Sequence, residues 1–150
     1  MLRRFGAPPE PGRRYTRRIG AYAVVTLGDG LLLTFQAEPH FEVQLPGGGV
    51  DPGESPTRAL HREVMEETGW RIADPRRLGA FRRYAYMPDY DLWAEKICLI
   101  YAARAVTRHG APTEQGHTAV TMGWDEAIES LAVEGDRHFA LAHARRIGVL

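Results

Sequence analysis

Residues 45–70 read LPGGGVDPGESPTRALHREVMEETGW and hold most of the side chains in the sequence that could carry chemistry. Three consecutive glycines open the stretch, and glycine lets a backbone take positive φ values and approach a ligand closely. Ser55 is a favourable N-cap, Pro56 suits a first helical position, and Gly69 suits a left-handed helix end. The stretch therefore predicts a glycine-rich loop followed by a helix over residues 56–68.

The predicted helix carries three carboxylates, Glu63, Glu66 and Glu67, at spacings that bring them close together. Glu54 lies just ahead of the helix and adds a fourth negative charge. Such a cluster destabilises a helix unless nearby arginines or a bound divalent cation offset the repulsion. Oxygen ligands without cysteine or paired histidine favour Mg²⁺, with Mn²⁺ as a substitute, over zinc. Because Mg²⁺ commonly completes its coordination with substrate phosphates, the pattern indicates a polyphosphate substrate.

The spacing of these residues resembles the Nudix box, G-x5-E-x7-R-E-U-x-E-E-x-G-U, in which U is a bulky aliphatic residue. In this chain the pattern begins at Gly48, passes through Glu54 and Arg62, and ends at Trp70. Trp70 is the one departure, because the family usually carries Ile, Leu or Val there. The resemblance to the Nudix hydrolases implies an α+β fold: a Nudix-type α/β/α sandwich with a mixed β-sheet and the box as loop-helix-loop.

The resemblance also implies roles for individual residues. Glu63, Glu66 and Glu67 are expected to ligate the metal together with the carbonyl oxygen of Gly47, and Glu66 and Glu67 are also expected to serve catalysis. Glu114, from a loop outside the box, is a further catalytic candidate as the general base, and so is Glu95. For Glu95 an ordinary salt bridge is the favoured alternative. Three residues are expected to support the site structurally: Gly48, Glu54 and Arg62.

Candidate substrate-binding residues are aromatic, because aromatic rings line ligand pockets and stack on bases. Tyr84 and Tyr86 alternate along a predicted strand and share one face, and Phe41 precedes the glycines. Ordinary packing within a sheet is the alternative for each. The resemblance implies cleavage of the pyrophosphate linkage of a nucleoside diphosphate linked to another moiety. A nucleoside triphosphate or oxidised nucleotide is favoured over ADP-ribose or a dinucleoside polyphosphate.

The rest of the sequence predicts a single Nudix domain over residues 19–150, preceded by an Arg/Pro-rich extension over residues 1–18 with six arginines and three prolines. Asp125 is expected to cap a short helix that ends at Leu131, and an amphipathic helix is expected over residues 136–147. Strands are predicted over residues 19–27, 31–36, 42–45, 77–86, 92–106 and 117–124.

Composition narrows the function further. The 150 residues are 44% hydrophobic, which is enough for one ordinary core, and their net charge is zero. We therefore expect a small-molecule nucleotide partner and neither nucleic acid nor a membrane. A single cysteine, Cys98, excludes a disulfide framework within the chain and favours a cytoplasmic location. Family members are often homodimers.

The alternative function is a non-catalytic module that senses a nucleotide or associates with RNA through the same pocket. Binding-only relatives commonly lose box carboxylates, whereas this chain keeps all four. The sequence therefore favours the enzyme.

Overall fold

The computed structural model describes residues 2–150, which form seven strands, three α-helices and one 3-10 turn at Pro88–Tyr90. The strands are β1 Thr16–Leu27, β2 Gly30–Gln36, β3 Glu42–Gln44, β4 Gly47–Gly49, β5 Trp70–Met87, β6 Leu92–Arg108 and β7 His117–Gly123. The helices are α1 Pro56–Thr68, α2 Trp124–Ser130 and α3 Glu134–Ile147. None of the helices within residues 2–150 has the length and apolar composition that a membrane crossing requires.

All seven strands join one mixed sheet, in which the central path runs β3-β2-β1-β6-β5. β1 runs parallel to β6, and the other pairs are antiparallel, including β4 with β1 and β7 with β2. β1 and β2 form an antiparallel hairpin. The predicted mixed sheet is therefore confirmed.

Alternating side chains of β1 bury both faces of this sheet. Ala21, Ala23 and Val25 face one core, where Leu60 and Val64 of α1 pack against them. On the opposite face, Val24 and Phe81 pack with Trp124 of α2 and with Ala140 and Ala144 of α3. Because helices cover both faces, the predicted α/β/α sandwich of the α+β class is confirmed.

The box helix forms with the predicted bounds. The Ser55 hydroxyl accepts a hydrogen bond from the backbone N–H of Arg58 at 3.2 Å, which satisfies one free donor of the first turn. At the other end, Gly69 adopts a left-handed conformation and its N–H donates to the carbonyl oxygen of Met65. Residues 56–68 therefore behave as their local sequence predicts.

The three glycines form a short strand rather than the predicted loop, which corrects that expectation. Only Gly47 has a positive φ, at 147°. Gly48 is needed for a different reason, because a Cβ there would lie 2.5 Å from the Glu63 carboxyl group. Pairing of β4 with β1 satisfies the backbone while the missing side chains let α1 approach it.

Several elements begin earlier than the sequence predicts, including β1, which begins at Thr16 instead of residue 19, and β2, which begins at Gly30 instead of residue 31. Asp125 does not cap α2, because the helix already begins at Trp124 and its N-cap Gly123 offers no side-chain bond. α3 begins at Glu134, two residues earlier than predicted. β5 begins at Trp70 because its register shifts between Ala73 and Arg76 absorb the Asp-Pro pair that reads as a strand breaker.

The N-terminal segment lies along β5. Arg4 bridges Arg82 of β5, and the N–H of Phe5 donates to the Arg82 carbonyl oxygen at 3.0 Å. The Phe5 ring is 5% exposed and packs edge-on against Phe81, with their centroids 5.4 Å apart. Part of residues 1–18 thus joins the core, and the predicted boundary at residue 19 stays a prediction.

A matched pair of substitutions tests the close packing of β4. A Cβ at Gly47 would lie 2.1 Å from the carbonyl oxygen of Ala21, whereas a Cβ at Gly49 would meet nothing within 4 Å. We expect Gly47→Ala to lower the free energy of unfolding by about 3 kcal/mol or more, because it combines a backbone clash with a disfavoured φ. Gly49→Ala is the control and should stay within about 0.5 kcal/mol of wild type. Urea denaturation measures both, and equal stabilities would contradict this view of β4.

Candidate active site

A cavity of about 380 Å³ lies on the sheet face that α2 and α3 cover. One end is bordered by β4 and by Glu63 and Glu67 of the box helix, and the other by the first turn of α3. The rim is formed by the end of β5 and by residues 87–90. The box carboxylates therefore open into a space of ligand size.

Glu67 is the most buried of the box carboxylates, at 5% exposed. Its Oε1 accepts a hydrogen bond from the backbone N–H of Gly47 at 3.0 Å, so β4 fixes its orientation. Burial raises the pKa of Glu67 well above its usual value, and the Gly47 N–H only partly opposes that shift. A charged carboxylate is costly here unless a cation joins it.

Arg62 neutralises the outer carboxylates and leaves Glu67 without a guanidinium partner. Its guanidinium group contacts Glu54 at 2.8 Å, Glu63 at 2.8 Å and Glu66 at 3.4 Å. It also donates to the carbonyl oxygen of Gly49 at 3.0 Å, which ties α1 to β4. The bond from Arg62 is the main reason that the pKa of Glu54 falls to about 2. This geometry agrees with a supporting role for Glu54 and Arg62.

Glu114 reaches the box because its loop docks on the end of α1. The N–H groups of Thr113 and Glu114 both donate to the carbonyl oxygen of Glu66 at 2.9 Å. The Glu114 carboxylate then lies close enough to Glu63 and Glu66 for the three to share an ion. The structure therefore brings this sequence-predicted residue to the box from outside it.

His117 joins the same cluster, and sequence reasoning did not identify it. Its Nε2 lies 3.4 Å from Glu114 and 3.8 Å from Glu67, and its Nδ1 lies 2.9 Å from the Thr34 hydroxyl oxygen. Burial lowers the pKa of His117. The histidines have no metal-ligand spacing in the sequence, because the pairing of β7 with β2 is what places His117 beside Thr34.

The donor set fits a hard divalent cation. Four carboxylates converge, and their candidate ligand atoms fall into two groups, each within 4.8 Å: Glu67, Glu114 and His117, and Glu63, Glu66 and Glu114. Among residues 2–150, Glu67 and Glu114 have no partner from lysine or arginine. An uncompensated, partly buried cluster of oxygen ligands is the environment that Mg²⁺ and Mn²⁺ occupy in proteins.

The structure does not bring the three predicted aromatic residues together. Phe41 is 62% exposed and lies outside the cavity lining. Tyr84 is also outside it, and its hydroxyl donates to Glu95 at 3.3 Å. Tyr86 lines the rim, where its hydroxyl bonds to Asp91. Tyr84 and Tyr86 do share a face, and their substrate contacts stay predictions.

Glu95 lies with Tyr84, away from the cavity. It pairs with Arg17 at 2.8 Å and has no bond to the neighbouring Lys96. Arg17 is also the main reason that the pKa of Glu95 falls. The structure thus agrees with the salt-bridge alternative for Glu95, with a different partner from its sequence neighbour.

The far end of the cavity holds charged residues that the sequence interpretation did not select. Arg83 and Lys96 face each other across β5 and β6 and line the cavity, and so does Asp136 of α3. The alternation of side chains along a strand could have identified Arg83, because Arg83 and Tyr84 must lie on opposite faces of β5. Burial raises the pKa of Asp136 to about 7, against the opposing effect of Arg83 and Lys96.

This raised pKa predicts a pH-dependent stability. Asp136 binds its proton more tightly in the folded chain than in the unfolded one, so the free energy of unfolding should fall as pH rises from about 4 to about 7. The contribution of this one group is at most about 1.4 kcal/mol per pH unit. Four other charged residues also shift the pKa of Asp136 and are the same in wild type and in the variants below: Glu42, Arg83, Lys96 and Arg137.

Asp136→Asn removes this titration without a large change in shape. Denaturation between pH 4 and pH 8 should therefore show a shallower loss of stability in Asp136→Asn than in wild type. Glu134→Gln, an exposed charge removal on the same helix turn, is the control and should follow wild type. Parallel curves for all three proteins would show that the pKa of Asp136 is not raised.

Comparisons with known proteins agree with this fold. A family model described as the NUDIX domain matches residues 16–142. A NUDIX hydrolase structure from Nitrosomonas europaea has a TM-score of 0.67 and 20% identity, and covers 86% of this chain and 90% of that one. The MutT protein of Methanosarcina mazei Go1 has a TM-score of 0.66 and 20% identity, with 88% and 96% covered. At these identities the two structures establish the fold.

Curated relatives match shorter stretches. A Bacillus subtilis (strain 168) protein provisionally named an 8-oxo-dGTP diphosphatase is 34% identical over 74 residues, which is 49% of this chain and 50% of that protein. An RNA pyrophosphohydrolase of Pectobacterium atrosepticum is 49% identical over 41 residues, which is 27% of this chain and 23% of that protein. The matched part of the chain thus spans half the length of the first relative and about a quarter of the second. Because the family model covers most of the chain, the protein belongs to the Nudix hydrolase family.

Proposed function

We propose that the protein is a hydrolase that depends on Mg²⁺, with Mn²⁺ as a substitute, and cleaves the pyrophosphate linkage of a nucleoside diphosphate linked to another moiety. One observation carries the proposal. The buried carboxylate of Glu67 lies beside Glu63 and Glu114 at the end of a ligand-sized cavity. Arg62 pairs with the other box carboxylates, so the negative charge of Glu67 has no arginine partner. A divalent cation supplies the missing positive charge, and the phosphates of a polyphosphate substrate complete its coordination.

Within this proposal, Glu63, Glu66 and Glu67 hold the metal, with the carbonyl oxygen of Gly47 as a further ligand. A divalent cation bound there supplies charge neutralisation for the phosphates and lowers the pKa of a bound water. Arg62 contributes by holding Glu63 and Glu66 from one side, while Gly48 contributes by leaving room for the Glu63 carboxyl group.

Glu114 is the proposed general base, with Glu66 and Glu67 helping to orient the attacking water. Its carboxylate is 42% exposed and points toward the cluster, so it can exchange a proton with solvent after each turnover. His117 contacts Glu114 at 3.4 Å and holds it beside Glu67. Support for Glu114 rests on the two backbone bonds that dock its loop on α1.

For the substrate, we propose a nucleoside triphosphate or an oxidised nucleotide ahead of ADP-ribose or a dinucleoside polyphosphate. The name of the B. subtilis relative supports an oxidised nucleotide, and its match covers half of each chain. The names of the RNA pyrophosphohydrolases make an RNA with a pyrophosphate linkage the substrate to test beside it. The zero net charge of this chain favours the small molecule.

A binding module without turnover is the alternative. The complete set of box carboxylates and the convergence of Glu114 on them favour the enzyme. The cytoplasmic location and the homodimer suggested by the sequence stay predictions.

Glu67→Gln tests the proposed metal site. The amide keeps an oxygen that can accept the Gly47 N–H bond and removes the charge that would bind the cation. We therefore expect kcat to fall by about 10³-fold or more while the melting temperature is kept. Chromatography of the nucleotide products formed with Mg²⁺ measures the change for nucleoside triphosphates, oxidised nucleotides, ADP-ribose, dinucleoside polyphosphates and RNA with a pyrophosphate linkage.

Glu129→Gln is the matched control, because it removes an exposed carboxylate from α2 and should retain wild-type turnover. Chelation of the metal should abolish wild-type turnover, and added Mg²⁺ should restore it. Wild-type turnover by Glu67→Gln would contradict the assignment of Glu67. Absence of turnover on every substrate by a folded, Mg²⁺-supplied protein would favour the binding module.

A further inference from the structure

The part of the cavity beside the first turn of α3 differs chemically from the metal end. We call this part the inner chamber and define it by six residues: Tyr22, Glu42, Arg83, Lys96, Cys98 and Asp136. The metal end is lined by carboxylates and glycine backbone, whereas the inner chamber combines cations, carboxylates and a phenol. A substrate whose phosphates occupy the metal end would place its other part here.

Asp136 is the chamber's buried acceptor. It is 5% exposed and lines the cavity from the first turn of α3. Within the described chain it forms no ion pair, and its carboxylate accepts no hydrogen bond, so its oxygens are available to a ligand. The packing of α3 fixes it there, because a Cβ at the neighbouring Gly135 would lie 2.5 Å from the Phe81 ring. A carboxylate held this way is preorganised rather than mobile.

Arg83 and Lys96 are the chamber's donors. They are direct partners in the antiparallel pairing of β5 and β6, so both side chains leave the sheet on the cavity side. Neither forms an ion pair with any residue of the part of the chain that the structure describes. Arg82, on the opposite face of β5, does have an acidic partner, because its guanidinium group lies 3.9 Å from the Glu95 carboxylate. The cavity therefore receives two cationic donors from adjacent strands.

Two basic residues, Arg83 and Lys96, and two acidic residues, Asp136 and Glu42, line the inner chamber. A second anionic group of a substrate is therefore not required there. A neutral group with hydrogen-bond acceptors on one side and donors on the other satisfies both kinds of residue. Unsatisfied partners in a buried site would otherwise weaken binding.

We propose that the inner chamber binds a guanine base, with Arg83 and Lys96 donating to its O6 atom and Asp136 accepting from N1–H and the 2-amino group. Arginine and lysine commonly pair with guanine O6, whereas adenine presents an amino donor at the equivalent position. Guanine oxidised at C8 keeps O6, N1–H and the 2-amino group, so the same contacts would serve it. This inference rests on the proposed hydrolysis of a nucleotide.

The test compares kcat/KM for dGTP, dITP, dATP and dCTP in the Mg²⁺-supplied full chain. dITP is the informative substrate, because hypoxanthine keeps O6 and N1–H and lacks only the 2-amino group. We expect dGTP to exceed dITP by about tenfold, and dATP and dCTP by more. Asp136→Asn should lower kcat/KM for dGTP about tenfold or more, mainly through KM, and should reduce the dGTP preference over dITP.

Glu134→Gln is the matched control, because it removes an exposed charge from the same turn of α3 and should keep the wild-type preference. Lys96→Gln is the second variant, which keeps the inference testable if Asp136→Asn fails to fold. Because both dGTP and dITP carry O6, Lys96→Gln should raise KM for both and leave dATP nearly unchanged.

Calorimetric titration with dGMP and dIMP adds a readout that needs no turnover. Tighter binding of dGMP than of dIMP, lost in Asp136→Asn, supports the inference even if no nucleotide is hydrolysed, an outcome that would overturn only the proposed activity. Hydrolysis of all four triphosphates at equal kcat/KM, or equal binding of dGMP and dIMP, would overturn the inference and leave the proposed activity standing.

Discussion

The hydrogen bond from the Gly47 N–H to the Glu67 carboxylate joins the sheet to the box helix at the point on which the site depends. It exists because β4 is made of glycine and can lie between β1 and α1 without side chains. The bond places a carboxylate where it is 5% exposed, and one neutral donor cannot compensate a buried charge. The fold therefore creates a deficit of positive charge beside the cavity.

The distribution of arginine sharpens this deficit. Arg62 contacts Glu54, Glu63 and Glu66, so the outer part of the acidic cluster is neutralised and tied to the Gly49 carbonyl. Glu67 and Glu114 lie beyond its reach. The same helix thus keeps a stabilised outer face and an inner face that needs a cation, which is how one sequence motif can serve both folding and chemistry.

Short-range features of the sequence were the ones that could be predicted. The cap at Ser55, the end at Gly69 and the spacing of the box glutamates all lie within one helix, and all have the expected geometry. The box also gave the fold, since the family model and the helices on both sheet faces confirm it. Because interactions between residues close in sequence decide these features, the sequence alone is enough to predict them.

Features that depend on strand register could not be predicted in the same way. His117 reaches Glu67 only because β7 pairs with β2, and Asp136 reaches the cavity only because α3 packs on Phe81. For Tyr84 the sequence showed a shared face with Tyr86 but not which side of the sheet that face occupies. Asp125 looked like a cap, but α2 begins before it at Trp124.

A crystal grown with Mn²⁺ and measured near the manganese absorption edge is the most direct test of the metal site. If the charge deficit around Glu67 is a cation site, the anomalous difference map will show a peak about 2.2 Å from carboxylate oxygens of Glu63 and Glu67. Its absence at saturating Mn²⁺, or a peak confined to other carboxylates such as Asp136, would contradict the metal site and the function proposed from it.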